Sequence, residues 1–225
     1  MTFNQDSFNQ FVIEHQVIGL FDTPITLKSG RTSNWYINWR PITSDPFLLN
    51  QLCDYICSYI EDNHLMCDCI YGVPEGATKM GVISQFKWAQ RHNWSKGSHC
   101  LPMGRSKEKT HGNPKDRYFV GEPQGKTIVV EDVTSTGGSL IETLEKLKAN
   151  NIQISAAIGI SNRMERRADG KSVKEAIEEL DIPYYCLSEA STLLPLFFKE
   201  SNCPEEKSQT VVDEFNKTSI SKISL

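Results

Sequence analysis

The run Ile128-Val129-Val130-Glu131-Asp132-Val133-Thr134-Ser135-Thr136-Gly137-Gly138-Ser139 constrains this chain most, because it joins a buried strand, two acids and a small-residue loop. Ile128, Val129 and Val130 form a short β-branched run after the turn formers Glu122-Pro123-Gln124-Gly125, the pattern of a buried parallel strand. Downstream, Leu140, Ile141, Leu144 and Leu147 recur at helical spacing, so residues 134–139 form a turn between strand and helix. Backbone N–H groups at such a helix start lack partners, and with the positive end of the helix dipole they make an anion site that needs no lysine. Phosphate is the natural occupant. Glu131 and Asp132 would repel a second phosphate but suit sugar hydroxyls, which donate hydrogen bonds to carboxylates. An ordinary βα turn with solvated acids is the plainer alternative, but the combination of strand, acid pair and Thr/Ser/Gly loop is more specific than a glycine pair alone.

This stretch resembles the phosphoribosyl pyrophosphate (PRPP) signature of the type I phosphoribosyltransferases: a hydrophobic strand, two acids, then a Thr/Ser/Gly phosphate loop. The resemblance implies that Glu131 and Asp132 hold the ribose hydroxyls and that Thr134, Ser135, Thr136, Gly137, Gly138 and Ser139 hold the 5′-phosphate.

Net charge bears on how such a phosphate is held. At −4 over 225 residues the chain lacks the positive field of a nucleic-acid binder, so an anion must be captured locally. No apolar run approaches membrane-spanning length, and the start MTFNQDSFNQ lacks the basic and apolar regions of a secretory signal, so a cytoplasmic protein without membrane or nucleic-acid partners is expected. The length suits one core, taken as a single domain over 1–200 with a polar tail over 201–225 that carries a brief amphipathic piece (Val211, Val212, Phe215) and ends disordered. Seven scattered cysteines (Cys53, Cys57, Cys67, Cys69, Cys100, Cys186, Cys203) show no paired metal-ligand spacing and read as reduced structural thiols.

Toward the amino terminus, Phe8, Phe11, Val12, His15 and Ile18 or Gly19 share a helical stripe, predicting a helix over residues 6–21. Then comes Leu27-Lys28-Ser29-Gly30-Arg31-Thr32-Ser33-Asn34-Trp35-Tyr36-Ile37-Asn38, a turn and an alternating aromatic strand. Spacing leaves Lys28 and Arg31 open between a solvated hairpin and a basic lip over a ligand. The segment is similar to the amino-terminal hood of orotate phosphoribosyltransferases, which implies that Lys28 reaches orotate or pyrophosphate and that Tyr36 and Ile37 line the base. Asp45-Pro46 caps a helix over 46–62. A second core strand, Cys69 to Pro74, opens into Glu75-Gly76-Ala77-Thr78-Lys79 and a helix from Met80 to Trp88. In the family this is the pyrophosphate loop, where many members carry a lysine at the position of Gly76; here Lys79 stands one helical turn on as a substitute.

Residues 104–117 are rich in charge and turn formers without periodicity, which predicts an exposed, mobile loop. Its basic excess is unusual in an acidic chain. The run Lys109-Thr110-His111-Gly112, with Arg105 before it, resembles the catalytic loop of orotate phosphoribosyltransferases; Ser106 replaces a basic residue and Lys107 follows. The match implies that Arg105, Lys109 and His111 neutralise departing pyrophosphate, with Lys107 on PRPP, and that the loop crosses to the neighbouring subunit of a homodimer.

A third strand over 152–160 leads into Ser161-Asn162-Arg163, and a guanidinium at a strand's carboxyl end can grip a carboxylate bidentately. The family places an arginine there to recognise orotate, which assigns Arg163 and Ser135 to the base. A helix over 172–180, a strand over 182–187 and a helix over 189–199 complete the alternation. The whole predicts an α/β fold, a doubly wound parallel sheet of the type I phosphoribosyltransferase kind with a small hood from about residues 1–40. The implied reaction joins orotate to PRPP, with catalysis by Lys109, Arg105, His111 and Asp132 and with Mg²⁺ held mainly by PRPP rather than by protein ligands. A transferase for another nucleobase, a non-catalytic PRPP-sensing regulator and a plain structural domain are the rival readings.

Overall fold

A computed structural model describes residues 2–27, 30–112 and 116–225 of the chain. At its centre β6 (Thr127–Thr134) lies between β3 (Cys69–Gly72) and β7 (Ile154–Asn162), with β8 (Tyr184–Glu189) beyond β7, all in parallel register. Along β6 the side chains alternate. Ile128 and Val130 face a core layer with Ile158 and Ile160, built also from α1 (Gln5–Glu14), α3 (Pro46–Asp62), α4 (Thr78–Arg91) and α7 (Ala190–Glu200). Val129 faces the opposite layer, under α5 (Gly138–Ala149) and α6 (Val173–Glu178). Helices therefore cover both faces, as the apolar strand composition requires. Because every strand runs the same way, the loops after β3, β6 and β7 gather at one edge.

The hood departs from the expected helix over 6–21. Helix α1 stops at Glu14, Gln16 takes a left-handed φ of 52°, and Ile18 opens β1 (Ile18–Thr26). Phe8, Phe11 and Val12 already bury the apolar face of α1, and the following residues gain more as a ladder, Ile18 opposite Ile37 and Leu20 opposite Trp35 of β2 (Thr32–Ile37). A short helix unforeseen in the sequence, α2 (Arg40–Ser44), follows, and α3 starts as read, its Asp45 cap accepting hydrogen bonds from the Phe47 and Leu48 N–H groups. The third and fourth sheet strands begin two residues later than their apolar runs.

In the tail the amphipathic piece forms helix α8 (Glu205–Thr218), longer than its three apolar residues suggest, with Val211, Val212 and Phe215 buried and the Phe215 ring 6.4 Å from that of Trp35. Three apolar residues on one helical face were enough to dock it on β2. Residues 104–117 spring from a two-residue antiparallel ladder, β4 (Met103–Gly104) with β5 (Phe119–Val120), and the Lys109 N–H donates to the Arg117 carbonyl at 2.9 Å. All seven cysteines are unpaired. Cys53 and Cys57 are buried where α3 meets α4, and burial pushes their thiols up to about 11 and about 12.

Candidate active site

At the carboxyl end of β6 the chain turns into α5 through Gly137, whose φ is +75°. A Cβ there would lie 2.9 Å from Val173 Cγ1, so both backbone and space demand glycine. Ser135, Gly137, Gly138 and Ser139 line a cleft of about 330 Å³, with the α5 N-terminus opening into it. Not all the expected hydroxyls face it. Thr134 borders the cleft, but its hydroxyl lies 2.6 Å from the Tyr184 hydroxyl inside the sheet, and Thr136 does not line the cleft; its carbonyl accepts a hydrogen bond from Arg167.

Both acids of the pair reach the same cleft. Glu131 is 6% exposed, and Asp132 accepts the Val133 N–H at 2.9 Å, which sets its carboxylate angle. Facing them is the loop after β3, with Pro74, Glu75 and Gly76. Gly76 abuts the acid: a Cβ at this position would lie 2.5 Å from Asp132 Oδ2. A lysine here would displace that carboxylate.

At the hood end Tyr36 and Leu27 line the cleft. Ile37, expected beside Tyr36, is buried in the core instead, because neighbours on a strand point to opposite faces. Lys28 lies outside the described residues. Arg163 lines the cleft but is only 3% exposed, stacked 3.7 Å from the Trp35 ring centroid. Its Nε donates to Glu165 at 2.7 Å, Nη1 to the Trp35 carbonyl at 3.0 Å and Nη2 to the Ser33 hydroxyl at 3.0 Å. Burial lowers its pKa, and the charges of Glu165 and Glu214 oppose that shift.

The remaining expected cations are spread out. Lys79 donates to the Thr43 carbonyl at 3.0 Å and lines a neighbouring cleft of about 470 Å³ together with Arg105 and Lys107, so it does not substitute at Gly76 in the main cleft. Pro74 borders both clefts, which are therefore contiguous. Arg105 Nε donates to the Asp116 carbonyl at 3.0 Å. Lys109 and His111 stand out on the loop and line neither cleft. Two charged lining residues carry no role in the sequence reading, Glu75, named there only as part of the loop after β3, which accepts the Ser106 hydroxyl at 3.0 Å, and Arg40 in the first turn of α2. The only signal for Arg40 was a charge just past the end of the aromatic strand.

No protein-family model matches the chain. An orotate phosphoribosyltransferase of Rhodopseudomonas palustris (strain BisB5) is 30% identical over 182 residues, covering 76% of this chain and 87% of the relative. Among solved structures, an orotate phosphoribosyltransferase from Francisella tularensis superposes with a TM-score of 0.69 at 21% identity, over 94% of this chain and 95% of the other. A UMP synthase from Leishmania donovani gives a TM-score of 0.71 at 18% identity, over 94% of this chain and 42% of that longer one. The structural likenesses carry the fold and the sequence likeness carries the kinship, and together they show that this chain belongs to the orotate phosphoribosyltransferase family.

Proposed function

We propose that the chain transfers the phosphoribosyl group of PRPP to orotate, releasing pyrophosphate and forming orotidine 5′-monophosphate in pyrimidine nucleotide synthesis. The observation that carries this reading is one cleft holding an acid pair (Glu131, Asp132), a helix-start phosphate loop (135–139) and a base end with Tyr36 and Arg163. As the bond from ribose C1′ to pyrophosphate lengthens, positive charge develops on the sugar and negative charge on the leaving group. Catalysis then depends on holding the sugar still and neutralising the diphosphate.

Backbone N–H groups at Gly137 to Ser139 would bind the 5′-phosphate, and the two carboxylates would accept hydrogen bonds from the ribose hydroxyls. Tyr36 offers the base an aromatic wall, Arg163 faces its carboxylate, and Lys28 belongs to the same end by resemblance. Arg105 and Lys107 border the contiguous cleft, where pyrophosphate would leave. Lys109 and His111 on the loop complete that charge. Neither residue lines the main cleft of its own chain, which is compatible with a homodimer in which each loop serves its neighbour. Carboxylates are the hard oxygen donors that Mg²⁺ accepts, so Glu131 and Asp132 beside the substrate's own oxygens fit that ion. When bound, Mg²⁺ would offset the charge of the diphosphate. Among the described residues no helix is long and apolar enough to cross a membrane, and seven free cysteines suit a reducing cytoplasm.

The test is orotidine 5′-monophosphate formation from orotate, PRPP and Mg²⁺, with adenine, hypoxanthine and uracil as rival bases. Turnover with orotate alone is expected. Turnover with another base instead, or PRPP binding without turnover, would replace this reading.

A further inference from the structure

We propose that Arg40 binds the diphosphate of PRPP within the main cleft, an assignment resting on the phosphoribosyl transfer proposed above. Three acids line that cleft, Glu75, Glu131 and Asp132, so a polyanion entering it must meet compensating positive charge. Among the described lining residues the cations are Arg40 and Arg163. Arg163 is buried and already donates to Glu165, the Trp35 carbonyl and Ser33 while stacking on Trp35. Arg40 is the reverse case: it is exposed, and its guanidinium makes no hydrogen bond or ion pair with another described residue.

Its backbone, however, is fixed. The Arg40 N–H donates to Asn38 Oδ1 at 3.1 Å, and the far end of α2 is tied to α4 by Lys79 donating to the Thr43 carbonyl at 3.0 Å. An anchored backbone brings an uncommitted guanidinium to the cleft, and its planar fork suits phosphate. The loop after β3 offers the main cleft no cation of its own, since a side chain at Gly76 would collide with Asp132 and Lys79 lines the neighbouring cleft instead. Trp39 beside Arg40 donates to Ser161 of β7 at 3.2 Å while Thr43 meets Lys79 of α4, so α2 spans the cleft, and the diphosphate falls to Arg40 because Arg163 already stands at the base end.

The experiment titrates pyrophosphate with Mg²⁺, ribose 5-phosphate and orotate into the full chain and its Arg40→Gln and Arg40→Lys variants, alongside steady-state kinetics. Arg40→Gln is expected to weaken pyrophosphate and raise the KM for PRPP by about tenfold or more, the worth of a charge-assisted hydrogen bond. Ribose 5-phosphate and orotate affinities stay unchanged, Arg40→Lys recovers part of the loss, and the thermal midpoint matches the parent. Unaltered pyrophosphate affinity would overturn the assignment, as would weakened orotate binding with pyrophosphate intact. A parent chain that binds no ribose 5-phosphate and forms no orotidine 5′-monophosphate would instead remove phosphoribosyl transfer itself, and Arg40's role with it.

Discussion

At Gly76 the missing side chain is part of the site, because the Asp132 carboxylate fills the volume a Cβ would need. Gly76→Ala should push that carboxylate off the ribose and lower kcat/KM for PRPP by more than about tenfold, at least ~1.4 kcal/mol of transition-state stabilisation, in steady-state assays. An undiminished kcat/KM would mean that Asp132 has room to move without consequence. Arg163 is held in a comparable way from outside the cleft. Ser33 joins it to Glu214 of α8, which also accepts the Asn34 backbone and side-chain N–H groups at 2.8 and 3.0 Å. Glu214→Gln should raise the KM for orotate several-fold while leaving that for PRPP unchanged; equal changes in both would point to general loosening. The acid pair and phosphate loop were legible because they are contiguous, so strand-to-helix periodicity alone brings them together. Ile37 follows strand alternation into the core although the resemblance has it line the base, and Arg40 and the Gly76 contact depend on loops that meet only in three dimensions.

Among the elements, α3 and α5 could be read closely from cap and period, whereas α1 was read too long because its apolar stripe runs on into β1. Of helix α8 only the amphipathic piece Val211, Val212 and Phe215 is legible, because its polar composition dilutes three apolar residues that find a partner only on the hood. Phe215, fully buried against Trp35, tests that packing: Phe215→Ala is expected to cost about 3–5 kcal/mol in denaturant unfolding, and a loss below about 1 kcal/mol would show that α8 is loosely attached. The α3–α4 contact carries a pH dependence. Burial pushes Asp54 up, but hydrogen bonds and charge from Lys87 at 2.8 Å and Arg91 at 2.9 Å outweigh it and hold the carboxyl below its ordinary value. A depressed folded-state pKa stabilises above the unfolded value and loses that contribution as pH falls through the folded one. Asp54→Asn should therefore lower the melting temperature by about 2–4 °C at most near neutrality, and by less below about pH 4. A deficit that persists undiminished in acid would detach the effect from this carboxylate.

For the whole molecule, the decisive arrangement is that strand ends, hood and charged loop converge on one edge of a parallel sheet, while the loop's Lys109 and His111 stay outside their own cleft. If each loop serves a neighbouring copy, mixing Lys109→Ala with Asp132→Asn should restore about a quarter of parental turnover, since half the random dimers then contain one intact site. No recovery on mixing would confine every loop to its own subunit. Parallel topology was readable from the strand–helix alternation, but which copy a loop serves has no local signature in sequence. The bond network from Glu214 through Ser33 to Arg163 joins the carboxyl-terminal helix, the hood and the end of β7. A chain cut short before α8 would keep every strand of the parallel sheet yet lose the outermost brace on the Arg163 guanidinium.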